Sequence, residues 1–314
     1  MQSNDGSAIM GRNTEAGLFR QIGILFHRDA ELFMNDRKRV GITLLLPLVI
    51  GLVIVFVADS DMGKIYEPTR ATIFTMICAG IYVGMFNSLP LVCKERHIIK
   101  REYMTGMKIS SYIMAMVLFQ AIISLIQSLM FISIYWATKM NLPEGELISG
   151  SSFIDYTISL FLIMFAADMM GLLISSIVRS NELANLIAPI IIIFQLVMCG
   201  VLFTLKGMAE KIAYLTVSKW GMQAMGALAK LENMKTSAKD TLGEDFFKDE
   251  FIDTLKLPEG TSAKDVKKMA SAGGDDYAGT AANLGEAWLW LLVFIVVLTI
   301  LCVVFLRRVE KDKR

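Results

Sequence analysis

The sequence predicts an all-α integral membrane protein with six transmembrane helices, and three observations carry that expectation. First, 54% of its 314 residues are hydrophobic and the mean hydropathy is +0.54. That is more than a soluble domain of this size carries, because such a domain covers its surface with polar groups. Second, the apolar residues gather into runs long enough to cross a bilayer, which takes about 20 residues at about 1.5 Å of rise each. Third, basic residues collect in alternate connections between those runs.

Residues 1–17 are mostly polar and read as a disordered cytoplasmic tail rather than a signal peptide. Residues 18–40 follow as an amphipathic helix. Leu18, Ile22, Leu25, Phe26, Leu32 and Phe33 recur near helical spacing, with Arg20, Gln21, Arg28, Glu31 and Asp36 between them. Amphipathicity leaves two roles open, a membrane-surface anchor or a contact for a soluble partner. The spans are read at Gly41–Ala58, Thr72–Cys93, Ser110–Ala137, Phe153–Val178, Leu183–Leu205 and Ala287–Leu306. Residues 41–205 thus hold the first five. Pro47, Pro90 and Pro189 lie inside spans and are read as kinks, since neighbouring helices can satisfy the carbonyls a proline frees.

Residues 206–286 separate the fifth and sixth spans. Their first part, with Tyr214 and Trp220, suits a re-entrant helix pair at the membrane interface. The remainder reads as a small external cap, with Phe246, Phe247, Phe251, Ile252 and Leu255 on one short amphipathic helix. Residues 287–314 supply the last span and a basic tail. Arg37, Lys38 and Arg39, the Lys94–Lys108 loop, Arg179 and the RRVEKDKR tail all fall on one side of a six-span count. Asp59, Asp61, Glu144, Glu146 and the acid-rich Glu232–Glu286 segment fall on the other. The positive-inside rule then places both termini in the cytoplasm of a multi-pass cell-membrane protein.

The composition also excludes classes. Net charge is +1 and no basic stripe with interleaved aromatics appears, so nucleic acid is not a partner. Cys78, Cys93, Cys199 and Cys302 lie in or beside apolar runs, without CxxC spacing or an external disulfide framework. With only His27 and His97 available, no metal site is expected. No phosphate-binding G-x-x-x-x-G-K-[ST] loop occurs, so the chain is expected not to be an enzyme and to carry no cofactor.

The segment Leu91–Ser111 has the pattern of a transmission element. Lys94, Glu95, Arg96, Lys100, Arg101 and Glu102 form a charged cluster. Ile98, Ile99, Tyr103, Met104 and Met107 give an apolar face, and Gly106 breaks the helix before the next span. This spacing suits a surface helix over residues 94–109, with one face on lipid or protein and the other towards a soluble partner.

These features resemble the membrane domain of type-2 ABC exporters, close to the G-subfamily. The best local match is Glu102-Tyr103-Met104-Thr105-Gly106 after Lys94-Glu95-Arg96. It is similar to that subfamily's E-K/R pair followed by E-Y-x-S/T-G. Cys199-Gly200-Val201-Leu202-Phe203 and Ser218-Lys219-Trp220-Gly221 resemble two further family stretches, with Ser218 standing where proline is usual. The missing external cysteines and N-x-S/T sequons point to a bacterial protein.

The resemblance implies a permease subunit of an ATP-driven exporter for amphipathic, lipid-like or drug-like substrates. It implies a second permease, as a copy or a relative, and separate ATPase subunits that carry ATP and Mg. ATPase coupling would fall to Glu95, Arg96, Arg101, Glu102, Tyr103 and Gly106. Met76, Gly80, Val83 and Asn87, facing Ile193, Leu196 and Val197, would line the path. Val201 and Leu202 would form its constriction. The 21 methionines fit adaptable apolar surfaces or compositional bias equally.

Asp168 lies well inside the fourth span, where a carboxylate costs roughly 2.5–3.5 kcal/mol on insertion scales. A substrate contact or an ion relay is one reading. A structural hydrogen bond to Gln120 or Gln127 is preferred, because the sequence offers no second buried acid. The rival class is an ATP-independent carrier or integral-membrane enzyme. It is disfavoured by the single buried acid, the lack of an inverted repeat, and the absence of a Ser/His/Asp or paired-acid set at one depth.

Overall fold

The computed structural model describes residues 17–58, 62–104, 106–138, 143, 145–178, 180–203, 205–234 and 277–309. The N-terminal tail, Asp59, Asp61, Thr105, Glu144, Arg179, the cap over 235–276 and the tail beyond Val309 lie outside the described residues. The described residues are overwhelmingly helical, and six helical stretches are long and apolar enough to cross a membrane. The chain is therefore an all-α, multi-pass membrane protein.

Helix α1 (Leu18–Asn35) turns into α2 (Arg37–Val57) at Asp36, whose carboxylate accepts from the Arg39 N–H at 3.1 Å and caps α2. The buried stripe of α1 is Ile22, Leu25, Phe26, Asp29 and Phe33, and it lies along α5 (Ile109–Ala137). Phe26 and Phe33 bracket Phe119 edge-on at 6.2 and 5.4 Å. Leu18 and Leu32, expected on this face, are exposed instead, and an acid occupies the stripe.

Within α2, Pro47 has no N–H to offer the Thr43 carbonyl one turn back. Gln127 on α5 supplies the missing donor at 2.7 Å, and Asn87 on α3 (Tyr66–Ser88) donates to Gln127 at 2.6 Å. The Pro47 kink is thus stabilised by a polar pair from two other helices.

The centre of the bundle is α6 (Ser152–Ile177), buried on nearly all sides by α3, α5 and two later helices. Its crossing with α3 is close because glycines stand at the contact. A Cβ at Gly84 would meet the Met164 carbonyl, and one at Gly171 would meet Ser88 and the Met85 carbonyl. Ser88 Oγ donates across the same contact to the Asp168 carbonyl at 2.6 Å.

Three spanning helices begin earlier than expected, at Arg37, Tyr66 and Ala281, and two spans end early. Helix α3 stops at Ser88, and α4 (Leu91–Met104) starts just past Pro90, so Leu91–Cys93 belong to the surface helix. Helix α7 (Asn181–Met198) stops short of Leu205 because Gly200 takes φ +78°, which turns the chain out of the helix.

After α7, the short α8 (Met208–Ala213) leads into α9 (Val217–Leu228), nearly every residue of which is buried. Gly221 meets Ile77 and Ile163, each about 16 Å into its own helix at 1.5 Å per residue. At the other end of α9, the Leu228 carbonyl lies against Gly145 in the α5–α6 connection. So α9 runs from mid-depth back to the surface, as a re-entrant helix does. Helix α10 (Ala281–Val309) closes the bundle against α6 and α9, with Trp290 stacked on Trp220 at 5.1 Å.

Candidate functional site

Helices α1 and α4 meet at the end of the bundle where α2 and α5 begin, and Arg28 is the centre of that junction. Its Nη1 lies between both Glu102 oxygens, at 2.8 and 2.9 Å. Its Nη2 reaches Glu95 at 3.3 Å and Asp29 at 3.0 Å. Glu95 also accepts from the Tyr112 hydroxyl of α5 at 2.9 Å, and the Arg28 guanidinium stands 5.8 Å from the Tyr112 ring centre. Three helices are joined through one guanidinium and three carboxylates. Burial works against the Arg28 charge, but Asp29, Glu95 and Glu102 outweigh it and hold the group above its ordinary value. Burial pushes the Asp29 carboxyl up, and Arg28 offsets only part of that. Asp29 Oδ2 is buried without a hydrogen-bond partner and borders a cavity of about 20 Å³, room for one water.

The two ends of α4 are held as well. At its start, Ser175 of α6 caps α4. Its Oγ accepts from the backbone N–H of Val92 at 3.1 Å and of Cys93 at 3.0 Å. Arg96 donates to the Val178 carbonyl beyond the end of α6 at 2.8 Å. At the far end, Gly106 has φ +101°. The Gly106 N–H bonds the Tyr103 carbonyl and the Met107 N–H bonds the Glu102 carbonyl, a Schellman closure. Gln21 of α1 holds this turn by accepting from the Lys108 N–H at 3.1 Å. The glycine of the E-Y-M-T-G stretch thus ends the helix and aims the chain into α5.

Of the residues expected in coupling, Glu95 and Glu102 join the Arg28 cluster, Arg96 ties α4 to α6, and Tyr103 packs against the core. Arg101 stands exposed in the last turn, beside His97, Ile98 and Met104 on the outward face of α4. The sequence marks Gln21 and Arg28 only as polar positions of the amphipathic helix, without their partners, and Asp29, Tyr112 and Ser175 were not named. Of those three, only Asp29 left a readable mark, an acid in register with an apolar stripe.

The residues expected along a path are divided by the structure. Met76, Gly80 and Val83 are buried in the chain's own packing, and Gly80 faces Leu160 and Met164 of α6. Asn87 is engaged with Gln127. Ile193 is exposed, and Leu196 and Val197 are half-buried. The open side of α3 carries Glu67, Ala71, Thr75 and Tyr82 instead. Val201 packs on the core beyond the end of α7, and Leu202 is exposed.

Asp168 is fully buried. It accepts from Gln120 at 3.0 Å and from Ser124, and Gln127 takes no part. It is not the one buried acid. Asp155, in the first turn of α6, is equally enclosed and accepts from the backbone N–H groups of Leu147, Ile148 and Ser149. Asp168 is therefore not set apart as a lone buried acid. Both acids have local partners on different helical levels.

A six-span bundle with two helices locked together at one end and a short buried helix packed back into it at the other defines an all-α, multi-pass membrane domain. The chain belongs to the family described as ABC-2 type transporter, whose match covers residues 20–228. It is 22% identical over 233 residues to the ABC transporter ATP-binding/permease protein Rv1747 of Mycobacterium tuberculosis (strain ATCC 25618 / H37Rv). That match covers 71% of this chain and spans 27% of the relative's length.

Proposed function

We propose that this chain is the permease part of an ATP-driven exporter that moves an amphipathic or lipid-like substrate across the cell membrane. An ABC ATPase module would dock below α1 and α4, and a second permease would complete the path. The observation that carries the reading is the Arg28 tie to Glu95 and Glu102, which makes α1 and α4 one unit. A push on the exposed α4 face, through Ile98, Arg101 and Met104, reaches α5 through Tyr112 and α6 through Ser175 and Val178. ATP and Mg would be held by the ATPase.

The family membership and the relative's printed combination of ATP-binding and permease functions support this reading. The cytoplasm lies, on this proposal, at the α1–α4 end, where Arg307 of α10 also donates to Ser110 at 3.2 Å. The test is reconstitution of the chain with its ATPase. ATP should drive export of a fluorescent lipid analogue, and the chain alone should hydrolyse no ATP. Nucleotide-independent transport by the chain alone would overturn the proposal. In intact cells, a cysteine at Ser149 should react with an impermeant reagent, and one at Lys100 should not.

A further inference from the structure

We infer that the bundle end opposite α1 and α4 holds a binding site for an anionic head group, built on Arg70 and Lys219. This deepens the export reading and rests on it, because it names the substrate class as an acidic amphiphile.

Arg70 lies one turn inside α3, at the level of the bilayer interface. It points across to the end of α7, where Nη2 donates to the Gly200 carbonyl at 3.0 Å, and its guanidinium lies 5.7 Å from the Tyr66 ring centre. No carboxylate among the described residues pairs with it, and its Nε is buried without a partner. A guanidinium at this level with an orphaned N–H has a donor left over for a further acceptor. Glu67, one turn earlier, lines a groove of about 550 Å³ between α3 and α2.

The second cation comes from another element. Lys219 sits in the first turn of α9, with its ammonium 5.4 Å from the Tyr214 ring centre. A helix start carries the positive end of the macrodipole, so a lysine there opposes helix stability and attracts anions. The two elements meet here, since Cys199 Sγ donates to the Ser218 carbonyl at 3.5 Å, with Gly200 and Lys219 the next residues on either side. Lys206 and Lys211 are exposed on the adjoining segment, with Glu210 the one acid beside them. On the proposed orientation this is the side where the positive-inside rule expects few basic residues. Beyond Val201, which follows the carbonyl that Arg70 holds, Leu202 and Phe203 are exposed, as are Ile190 and Ile193 on α7. A cationic corner above an apolar strip fits a lipid-like anion with its chains along α7.

The bland role of Arg70 is to cap the end of α7. Arg70→Gln separates the two roles, because glutamine keeps a donor for Gly200 and loses the charge. Purified protein in nanodiscs of phosphatidylcholine and phosphatidylglycerol with identical acyl chains is analysed by native mass spectrometry, without nucleotide or ATPase. The wild type should retain phosphatidylglycerol selectively. Arg70→Gln and Lys219→Gln should each reduce that preference about five-fold. Arg70→Lys should preserve it, and Lys211→Gln should leave it unchanged. Inorganic phosphate should not displace the lipid. Equal retention of both lipids, indifference to Arg70→Gln, an equal effect of Lys211→Gln or displacement by phosphate would overturn the inference. Export is read separately from ATP-driven transport, so intact transport without lipid preference sinks this inference alone. Lipid preference without ATP coupling sinks the export reading alone.

Discussion

Replacing Glu102 by alanine removes the strongest contact between α1 and α4 and measures what it transmits. Arg28 Nη1 bridges both Glu102 oxygens at 2.8 and 2.9 Å, and the two side chains are 26% and 33% exposed. Exposed ion pairs contribute about 0.2–1 kcal/mol, and sheltered hydrogen bonds to charged groups about 1.5–3 kcal/mol. A pair with this exposure falls between, at about 1–2 kcal/mol. For a helix with two positions, a bias of that size changes the share of α4 that follows α1 by about 5- to 30-fold. Membrane insertion and yield should stay near normal. In proteoliposomes with the ATPase, transport should fall by about that factor, and stimulation of ATP hydrolysis by the substrate should be lost. Lys108→Ala is the control, because its contact with Gln21 is made by the backbone N–H and survives. Arg28→Ala should be worse than Glu102→Ala, since it leaves Asp29, Glu95 and Glu102 crowded together without the guanidinium. Removing Glu102 in that background should then restore part of the loss, a coupling that a double-mutant cycle reads directly. Wild-type transport by Glu102→Ala, with stimulation intact, would refute the reasoning.

Three other outcomes follow from the packing. Burial raises the folded Asp29 pKa, so this group favours the folded state at low pH and loses that contribution as pH rises from about 4 through the raised value. The difference in unfolding temperature between wild type and Asp29→Asn should therefore turn against the wild type as pH rises, and a flat difference would contradict it. Asp168→Ala strands the Gln120 amide inside the bundle, while Ser124 keeps the Gln120 carbonyl, and should cost about 1–3 kcal/mol in thermal unfolding in detergent, with Asp168→Asn milder. Gly84→Ala forces a methyl group against the Met164 backbone, so it should cost about 1–3 kcal/mol or more, whereas Gly23→Ala, which meets nothing, should be neutral or better.

Much of the fold was legible because a bilayer constrains sequence heavily. Long apolar runs and a glycine at 106 mark boundaries that are set by backbone chemistry alone, whereas the proline at 90 was read inside the span that ends just before it. The errors have equally local causes. Helix α7 ends early because a left-handed glycine at 200 outranks the apolar run that continues past it. Met76, Gly80 and Val83 looked like a path because one sequence cannot say which side of an apolar helix meets its own chain. The small residues at 80, 84 and 171 decide it by drawing α3 onto α6. The site was half visible. Glu95 and Glu102 carried a pattern, but their partner Arg28 lies some seventy residues away on a helix whose polar face offered several cations.

The locking of α4 bears on whether Pro90 is a hinge or a kink. A proline joint between α3 and α4 would let α4 swing if its first turn were free. Those first N–H groups are instead held by Ser175, and Arg96 holds Val178 one turn later, so the start of α4 is fixed to the end of α6. The same α6 is pressed onto α3 through Gly84, Gly171 and Ser88. Helices α3, α4 and α6 therefore close a loop of contacts in which bending at Pro90 alone breaks at least two backbone hydrogen bonds in a buried setting. Such groups cost about 1–3 kcal/mol each to leave unpaired. The joint is a kink, and a force applied to α4 moves α3 and α6 with it rather than being absorbed at the proline.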